Sequence, residues 1–380
     1  MSNSLNRVAI AGVGYSQTGR QLDLSDDALV RQAVMAALAD AGMAPGDIDG
    51  VSTMGGNAFH IGFTMGLDPL GFFFTSSGGP AFVEPAVQAV SAVASGLSNT
   101  CVAIRLIRRA RGGMPVGPSG EPAIPERVGG DEQFTAPFGG MAAAAAISGF
   151  EMQRYMSEFG ATEEQFGVHA VTQRYHATLN EDAILREPLT VDEYLSARYV
   201  SKPVRLLDCD YPVDSSSAVI FTTQERARDC QKKPVMVDSF ALSGTDPNFW
   251  QLKDFVRSSP VHCAQLLWSR SGLTPADIDC AQLYDGFSII TFQWLEALGL
   301  CGFGEAADFV AAGNTRLGGS LPVNTDGGAC NVGRRHGANF CIEATRQIRG
   351  ECGERQVPDT EVSVWANSVG PFTGAMLLTA

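Results

Sequence analysis

An α/β fold made of two similar halves is the class this sequence predicts, on three observations. A segment repeats, strand-like and helical stretches alternate within each copy, and a Gly/Pro-rich stretch interrupts the first copy alone. "AGMAPGDIDGVSTMGG" starts at Ala41 and "SGLTPADIDCAQLYDGF" at Ser271. Gly42, Pro45, Asp47, Ile48 and Asp49 thereby recur as Gly272, Pro275, Asp277, Ile278 and Asp279 at one constant offset. A generic helix-to-strand connector would account for Pro-x-Asp-Ile-Asp alone. Constant spacing through a helix, a turn and a strand points to duplication.

The elements follow in chain order. "RVAIAGVG" from Arg7 reads as a strand, and "DDALVRQAVMAALADAG" as an amphipathic helix ended by Gly42. The first copy of the turn leads into a short apolar segment at residues 50–54. From about 108 to 205 the pattern changes. "RRARGGMPVGPSGEPAIPERVGG" is loop by its glycines and prolines. "MAAAAAISGFEMQRYMSEFG" is a helix ended by Gly160, and "TEEQFGVHAVTQRYHATLN" a helix opened by a Thr-x-x-Gln capping box. This insertion belongs to a first half spanning 1–228. The second half, 229–380, restarts with the strand-like "PVMVDSFAL" and the helix "SPVHCAQLLWSRSG", then reaches the second copy of the turn.

With 380 residues, 45% hydrophobic and 18% charged, the chain has a globular composition and can bury one large core or two fused ones. A net charge of −14 argues against a nucleic-acid binder, which carries a basic face. Nine cysteines, odd in number and without a C-x-x-C pair, fit reduced thiols in a cytoplasmic protein better than disulfides or a zinc site. The first residues lack a charged region followed by an apolar run, and no stretch nears 18 clean apolar residues. Neither a signal peptide nor a membrane span is expected. "AIAGVGYSQTG" at Ala9 lacks the third glycine of a dinucleotide fingerprint.

"LTVDEYLSARYVSKPVRLLDCDYPVDSSSAVIFTT", "YDGFSIITFQWLEALGLCGFGEAADFV", "LGGSLPVNTDGG" and "HGANFCIEATRQIRGECGERQV" together resemble the thiolase superfamily, most of all its sterol carrier protein-type branch. The resemblance runs from Arg7 to Ala380 and is strongest from Leu189 onward. It implies a thiolase fold, with duplicated five-layered α-β-α-β-α halves, an inserted loop subdomain, and a tight homodimer. Thiolases carry four catalytic elements. The C-A-S-G-type nucleophile turn, at the start of a buried helix, is matched to Val93-Ala94-Ser95-Gly96 within "AVQAVSAVASGLSNTCVAIRLI", with valine in the cysteine's place. The G-H-P-x-G loop is matched to Gly333-Arg334-Arg335-His336-Gly337. Tyr284-Asp285-Gly286-Phe287 answers to the N-E-A-F or H-D-C-F segment, and "NSVGPFTG" from Asn367 to the C-terminal loop, without its cysteine. In these loops the chain is similar to retro-aldolases of steroid side-chain CoA thioesters, which lack the nucleophilic cysteine. The implied activity is a carbon–carbon lyase of steroid or lipid breakdown. It would cleave a β-hydroxyacyl-CoA into acetyl- or propionyl-CoA and a ketone or aldehyde.

Such a cleavage needs no covalent enzyme. A base takes the β-hydroxyl proton, the Cα–Cβ bond breaks, and a thioester enolate leaves. The site must hold an acid/base group and donors aimed at the thioester oxygen. Tyr284 is the first candidate. Its ordinary pKa of about 10 makes it a base only beside a cation, for which Arg334, Arg335 or protonated His336 would serve. A strand-end aromatic packed on the core is the competing reading. His336, in a glycine-flanked loop, is the second candidate, as proton donor or as donor to the thioester oxygen. Asp285 is expected to orient Tyr284 or a water, or to cap a helix beginning near Ser288.

Ser95, Gly96, Asn324, Gly328 and Gly337 are expected to shape the substrate pocket without doing chemistry. No metal is expected, and no cofactor beyond the CoA thioester itself. His169 and His176 read as helix-surface or interface residues, His60 and His262 stand alone, and none of the four lysines sits in a context fit for a Schiff base. Arg105, Arg108, Arg109 and Arg111 form a basic run, read as solvated in preference to a CoA phosphate site. Two other classes stay open: an acyltransferase using Cys330 of "GGACNVG" as a displaced nucleophile, and a non-catalytic acyl-CoA-binding scaffold. The resemblance also implies a small OB-fold or zinc-ribbon partner in an α2β2 complex. The Gly/Pro-rich insertion and "PLGFFFTSSGG" are candidate docking surfaces, although Phe72–Phe74 would serve equally as core or lid.

Overall fold

Strands buried on both faces form the middle of the molecule. The computed structural model describes residues 8–67, 69–76, 80–108, 144–246, 251–255, 257, 259–367 and 370–380. The first half supplies β1 (Val8–Tyr15), α1 (Asp26–Ala41), β2 (Gly50–Met54), α2 (Ala58–Met65), β3 (Phe72–Ser76), α3 (Val83–Ser95) and β4 (Thr100–Ile107). The insertion follows as α4 (Ala144–Phe159), α5 (Glu163–Thr178), α6 (Val191–Ser196), β5 (Tyr199–Ser201) and β6 (Val204–Arg205). β7 (Ser215–Thr223) and α7 (Gln224–Ala227) lead to β8 (Val235–Gly244), α8 (Ser259–Ser269), β9 (Cys280–Leu283), α9 (Ser288–Ala297) and α10 (Ala306–Ala311). The chain ends with α11 (Ala329–Val332), α12 (Ala338–Arg349), β10 (Val362–Asn367) and β11 (Phe372–Thr379).

Among the described residues nine strands share one sheet, in the order β3-β2-β4-β7-β1-β8-β11-β10-β9. Its two sides repeat one connectivity. β1 is antiparallel to β7, β7 to β4, and β4 parallel to β2; β8 is antiparallel to β11, β11 to β10, and β10 parallel to β9. The sides join through Ala9 with Met236 and Ile10 with Val235. Helices repeat as well. α1 packs on β1 and β7 as α8 packs on β8 and β11, while α3 lies on β2 and β4 as α12 lies on β9 and β10. Val87 and Val90 of α3 share a core with Phe340 of α12 and Trp365 of β10.

The duplicated aspartates have identical work. Asp47 accepts the Ala44 amide and Asp277 the Thr274 amide, each at 2.8 Å, closing a 3₁₀ turn. Asp49 accepts the Thr100 amide at 2.9 Å, where β4 begins, and Asp279 the Val362 amide at 2.8 Å, where β10 begins. A carboxylate that satisfies the first amide of the neighbouring strand fixes the register of the parallel pair.

The insertion's helices form as read, with Thr162 and Gln165 making the expected capping box and Gly160 ending α4 at φ 75°. The Gly/Pro-rich stretch, with Arg109 and Arg111, lies outside the described residues. His169 and His176 are core residues instead of surface ones. His176 donates from Nδ1 to the Asn324 carbonyl at 3.1 Å and accepts the Leu317 amide at Nε2, while His169 meets Phe292 edge-on. Phe72–Phe74 form an edge strand, with Phe73 exposed.

Candidate active site

The C-terminal ends of β9, β4 and β10 meet the start of α3 and the α11–α12 loop at one point. The C-terminal ends of parallel strands are where α/β sheets open a crevice. Tyr284 directly follows β9, its amide donating to Ala366 of β10 at 3.0 Å. Its ring folds back over Gly286, where a Cβ would stand 2.5 Å from the phenol oxygen. The ring meets His336 edge-on at 6.4 Å and Phe340 at 6.1 Å between centroids. Tyr284 and His336 are both partly exposed, as groups that touch a substrate must be.

His336 is held from several directions. Its backbone adopts φ 52°, and its carbonyl accepts from the Phe82 amide at 3.1 Å and from Asn367 Nδ2 at 2.8 Å. Gly337 has φ 90°, and a Cβ there would overlap the Asn367 side chain. The ring nitrogen Nδ1 lies 2.8 Å from Arg105 Nη2. A guanidinium has only donors, so Nδ1 accepts and the imidazole keeps its proton on Nε2. Burial, then the charges of Arg105 and Arg334, push the His336 pKa down to about 3. At neutral pH it is an uncharged donor.

The nearest ionisable partner of Tyr284 is not the expected cation. Asp210 Oδ2 lies 3.5 Å from the phenol oxygen, and Arg334 stands behind it, 3.9 Å from Asp210 Oδ1. Burial and the Asp210 charge raise the Tyr284 pKa well above its ordinary 10. Burial lifts Asp210 itself to about 6. Tyr284 is therefore a phenol, and the groups that titrate near neutrality are the Asp210 carboxyl beside it and Asp285, which burial lifts to about 7. Arg335 stacks over Tyr15 at 3.9 Å and donates to Thr18.

Asp285 neither caps the helix at Ser288 nor orients Tyr284. Its carboxylate accepts the Ala329 amide at 2.7 Å and the Cys330 amide at 3.3 Å, capping α11. Asn324 clamps Leu283 through both backbone groups, at 2.7 and 2.8 Å, which fixes the end of β9 one residue before Tyr284. Gly328, at φ 71°, leaves room for the Asp285 carboxylate. These residues build the site from behind. Cys330 donates its thiol to the Asp285 carbonyl at 3.2 Å, and burial raises its pKa well above 9, so it is not a ready thiolate.

Val93, Ser95 and Gly96 are elsewhere, which corrects the alignment of the nucleophile turn. They form the end of α3: Val93 is buried in its last turn, Ser95 donates to Ser91, and Gly96 is a left-handed cap at φ 77°. A helix of 13 residues is about 20 Å long, and it is the other end, at Phe82, that touches His336. The residues ahead of that end, Ser77–Gly79, lie outside the described ones. No cysteine occurs between Phe72 and Val93 in the sequence, so the missing nucleophile is a property of that stretch and not of Val93.

Sequence reading missed Arg105 and Asp210. Arg105 had a signal, a lone cation in the apolar strand "TCVAIRLI", and is buried instead of solvated. Asp210 had none, because only tertiary structure brings it to Tyr284. A cavity of about 350 Å³ opens beside Asp210 and Cys330, walled by Leu189, Leu207 and Tyr211 and carrying Arg174 and Arg198.

A family model described as thiolase C-terminal domain-like matches residues 243–378. The 17-hydroxy-3-oxo-4-pregnene-20-carboxyl-CoA lyase of Mycobacterium tuberculosis is 35% identical over 98% of this chain and 99% of its own. A steroid side-chain-cleaving aldolase of Thermomonospora curvata is 35% identical over 97% of both. Among solved structures, an Ltp2-ChsH2(DUF35) aldolase superposes with a TM-score of 0.90 at 32% identity, covering 99% of this chain and 98% of that one. With likeness over the whole length and a site without a ready thiolate, the chain belongs to the thiolase superfamily, in its sterol carrier protein-type branch, and is a carbon–carbon lyase of thiolase-like fold.

Proposed function

We propose that the enzyme breaks the Cα–Cβ bond of a β-hydroxyacyl-CoA bearing a steroid side chain, through an enolate that is never tethered to the protein. The observation that carries this reading is the row Asp210, Tyr284, His336: carboxyl, neutral phenol, neutral imidazole donor. The substrate hydroxyl gives its proton to Tyr284 as the phenol passes its own to Asp210, so no free phenolate forms. Arg334 keeps Asp210 ionised enough to accept. His336 donates from Nε2 to the thioester oxygen, where charge develops. The proton then returns through Tyr284 to Cα, leaving acetyl- or propionyl-CoA and a ketone or aldehyde. The leucine-walled side of the cavity beside Asp210 suits a bulky acyl chain, and no cofactor beyond the CoA thioester enters these steps.

The test is incubation with a panel of β-hydroxyacyl-CoAs. Equimolar short acyl-CoA and carbonyl product support the reading. Acyl transfer to free CoA, abolished by Cys330→Ala, would replace it with the acyltransferase.

A second copy of the chain is the partner we assign to the β3 edge. There Phe73 is 58% exposed, Phe59 meets it edge-on at 5.9 Å and is 63% exposed, and Phe63 is 78% exposed. An open strand edge beside an apolar patch is a pairing surface. A small OB-fold or zinc-ribbon protein completing an α2β2 complex in the cytoplasm belongs to the same proposal. Support comes from the paired name of the similar aldolase structure and from the absence, among the described residues, of any helix able to cross a membrane. Phe73→Asp should halve the mass of the isolated chain in light scattering.

A further inference from the structure

We infer that Arg105 is a positioning residue whose work is to hold His336 as the Nε2–H tautomer. The purpose of that tautomer rests on the reaction proposed above; the geometry does not. A guanidinium in the middle of an apolar strand is expensive unless its donors are used. Here Nη2 reaches His336 Nδ1 at 2.8 Å, and Nη1 reaches the carbonyls of Met54, at 2.8 Å, and Leu106. Among the described residues no carboxylate lies within ion-pair distance of Arg105, so charge pairing does not explain its place. Gly55, at φ 90°, makes the room: a Cβ there would come within 3.1 Å of Nη1 and run into the Leu106 carbonyl.

The duplication supplies an independent argument. Gly50 pairs with Cys101 in the first half as Cys280 pairs with Ser363 in the second. Followed along both strands, that register makes Arg105 the counterpart of Asn367. Both reach His336, Asn367 through its carbonyl and Arg105 through its ring. One half fixes the backbone and the other fixes the proton. The groups facing the imidazole are Arg105 from β4, Arg334 from its own loop and Tyr284 from the end of β9, with Asp210 beyond the phenol. Charging the ring would set it against two cations. The donor therefore persists across the working pH range, and a neutral imidazole polarises a carbonyl without giving up its proton.

The test uses full-length enzyme, wild-type and with Arg105→Met or Arg105→Gln, and ring ¹⁵N resonances of histidine-labelled protein assigned through His336→Gln. Wild-type should show His336 protonated at Nε2 alone from pH 5 to 8. Arg105→Met should mix the tautomers, bring a new ionisation into the pH profile and lower kcat about 10- to 100-fold with KM little changed. Arg105→Gln, which keeps a donor for Nδ1, should restore the tautomer and most of kcat. A wild-type Nδ1–H or imidazolium signal would overturn the inference, as would an Arg105→Met enzyme with unaltered spectrum and pH profile. Should Arg105→Met fail to fold, the wild-type spectrum and the Gln variant decide. The spectrum needs no substrate: the expected tautomer in an enzyme that cleaves no β-hydroxyacyl-CoA would reject the reaction and leave the Arg105–His336 pair standing.

Discussion

In the first copy of the repeated turn and strand, β2 ends in Met54, whose carbonyl receives Arg105; in the second, β9 runs into Tyr284, whose phenol faces Asp210. Asp47 and Asp277 close the same turn, Asp49 and Asp279 pin the same neighbouring strand, and the registers match. What differs is the residue after the shared frame. Gly55 in one copy opens space for a guanidinium, and Asp285-Gly286 in the other caps α11 and seats a phenol. Duplication made two equal mounts, and divergence gave holding to the first and reacting to the second.

The sharpest way to break that division is to exchange residues at equivalent places. Tyr284→Phe should lower kcat by about 10²–10⁴-fold with the fold intact, whereas Met54→Leu should change it less than about threefold. Equal losses, in steady-state cleavage assays, would mean that the halves share the chemistry. Next in size, Gly286→Ala pushes a methyl into the Tyr284 ring and should cost about 10²-fold in kcat. Its counterpart Gly56→Ala, at φ 81°, should cost about 1–2 kcal/mol of stability and little activity.

Two aspartates sharpen the contrast through pH. Burial holds Asp210 to about 6 against an ordinary 3.8, so the unfolded chain loses that proton first. Its contribution to stability is complete below about pH 4 and is lost as the pH rises to about 6. Asp210→Asn should gain about 1–3 kcal/mol at pH 7 while lowering kcat by about 10²–10⁴-fold, because an amide cannot take the proton that Tyr284 passes on. Asp49 has the opposite sign. Although partial burial opposes it, the hydrogen bonds from Ser98, Thr100 and Asn99 lower its pKa, so its stabilisation is present at neutral pH and lost as the pH falls through the folded value. Asp49→Asn should cost about 1–3 kcal/mol at pH 7 and less in acid, with unchanged kcat. Urea unfolding up to pH 7 reads Asp210, and its extension below pH 3.8 reads Asp49.

The repeat is legible in sequence because its aspartates act within a few residues or at the start of an adjacent strand. Tyr284 and His336 are legible through the resemblance of their loops to thiolase elements, with glycines flanking His336 alone, and the structure brings the two rings together. Ser95 and Gly96 misled for a physical reason. An Ala-Ser-Gly ending is also how a helix closes on a left-handed cap, and the apolar run from Ala86 to Val93 marked the helix body ahead of it. Arg105 carried a readable anomaly. Asp210 and the capping role of Asp285 depend on contacts across 74 and 44 residues, which no local pattern encodes.

The central claim is cleavage without a covalent intermediate, and mass spectrometry of the intact protein tests it most directly. Enzyme mixed with a stoichiometric β-hydroxyacyl-CoA and quenched in acid during the first turnover should retain its unmodified mass while short acyl-CoA and the carbonyl product accumulate. A transient acyl adduct on any residue, formed and lost at the rate of turnover, would contradict it.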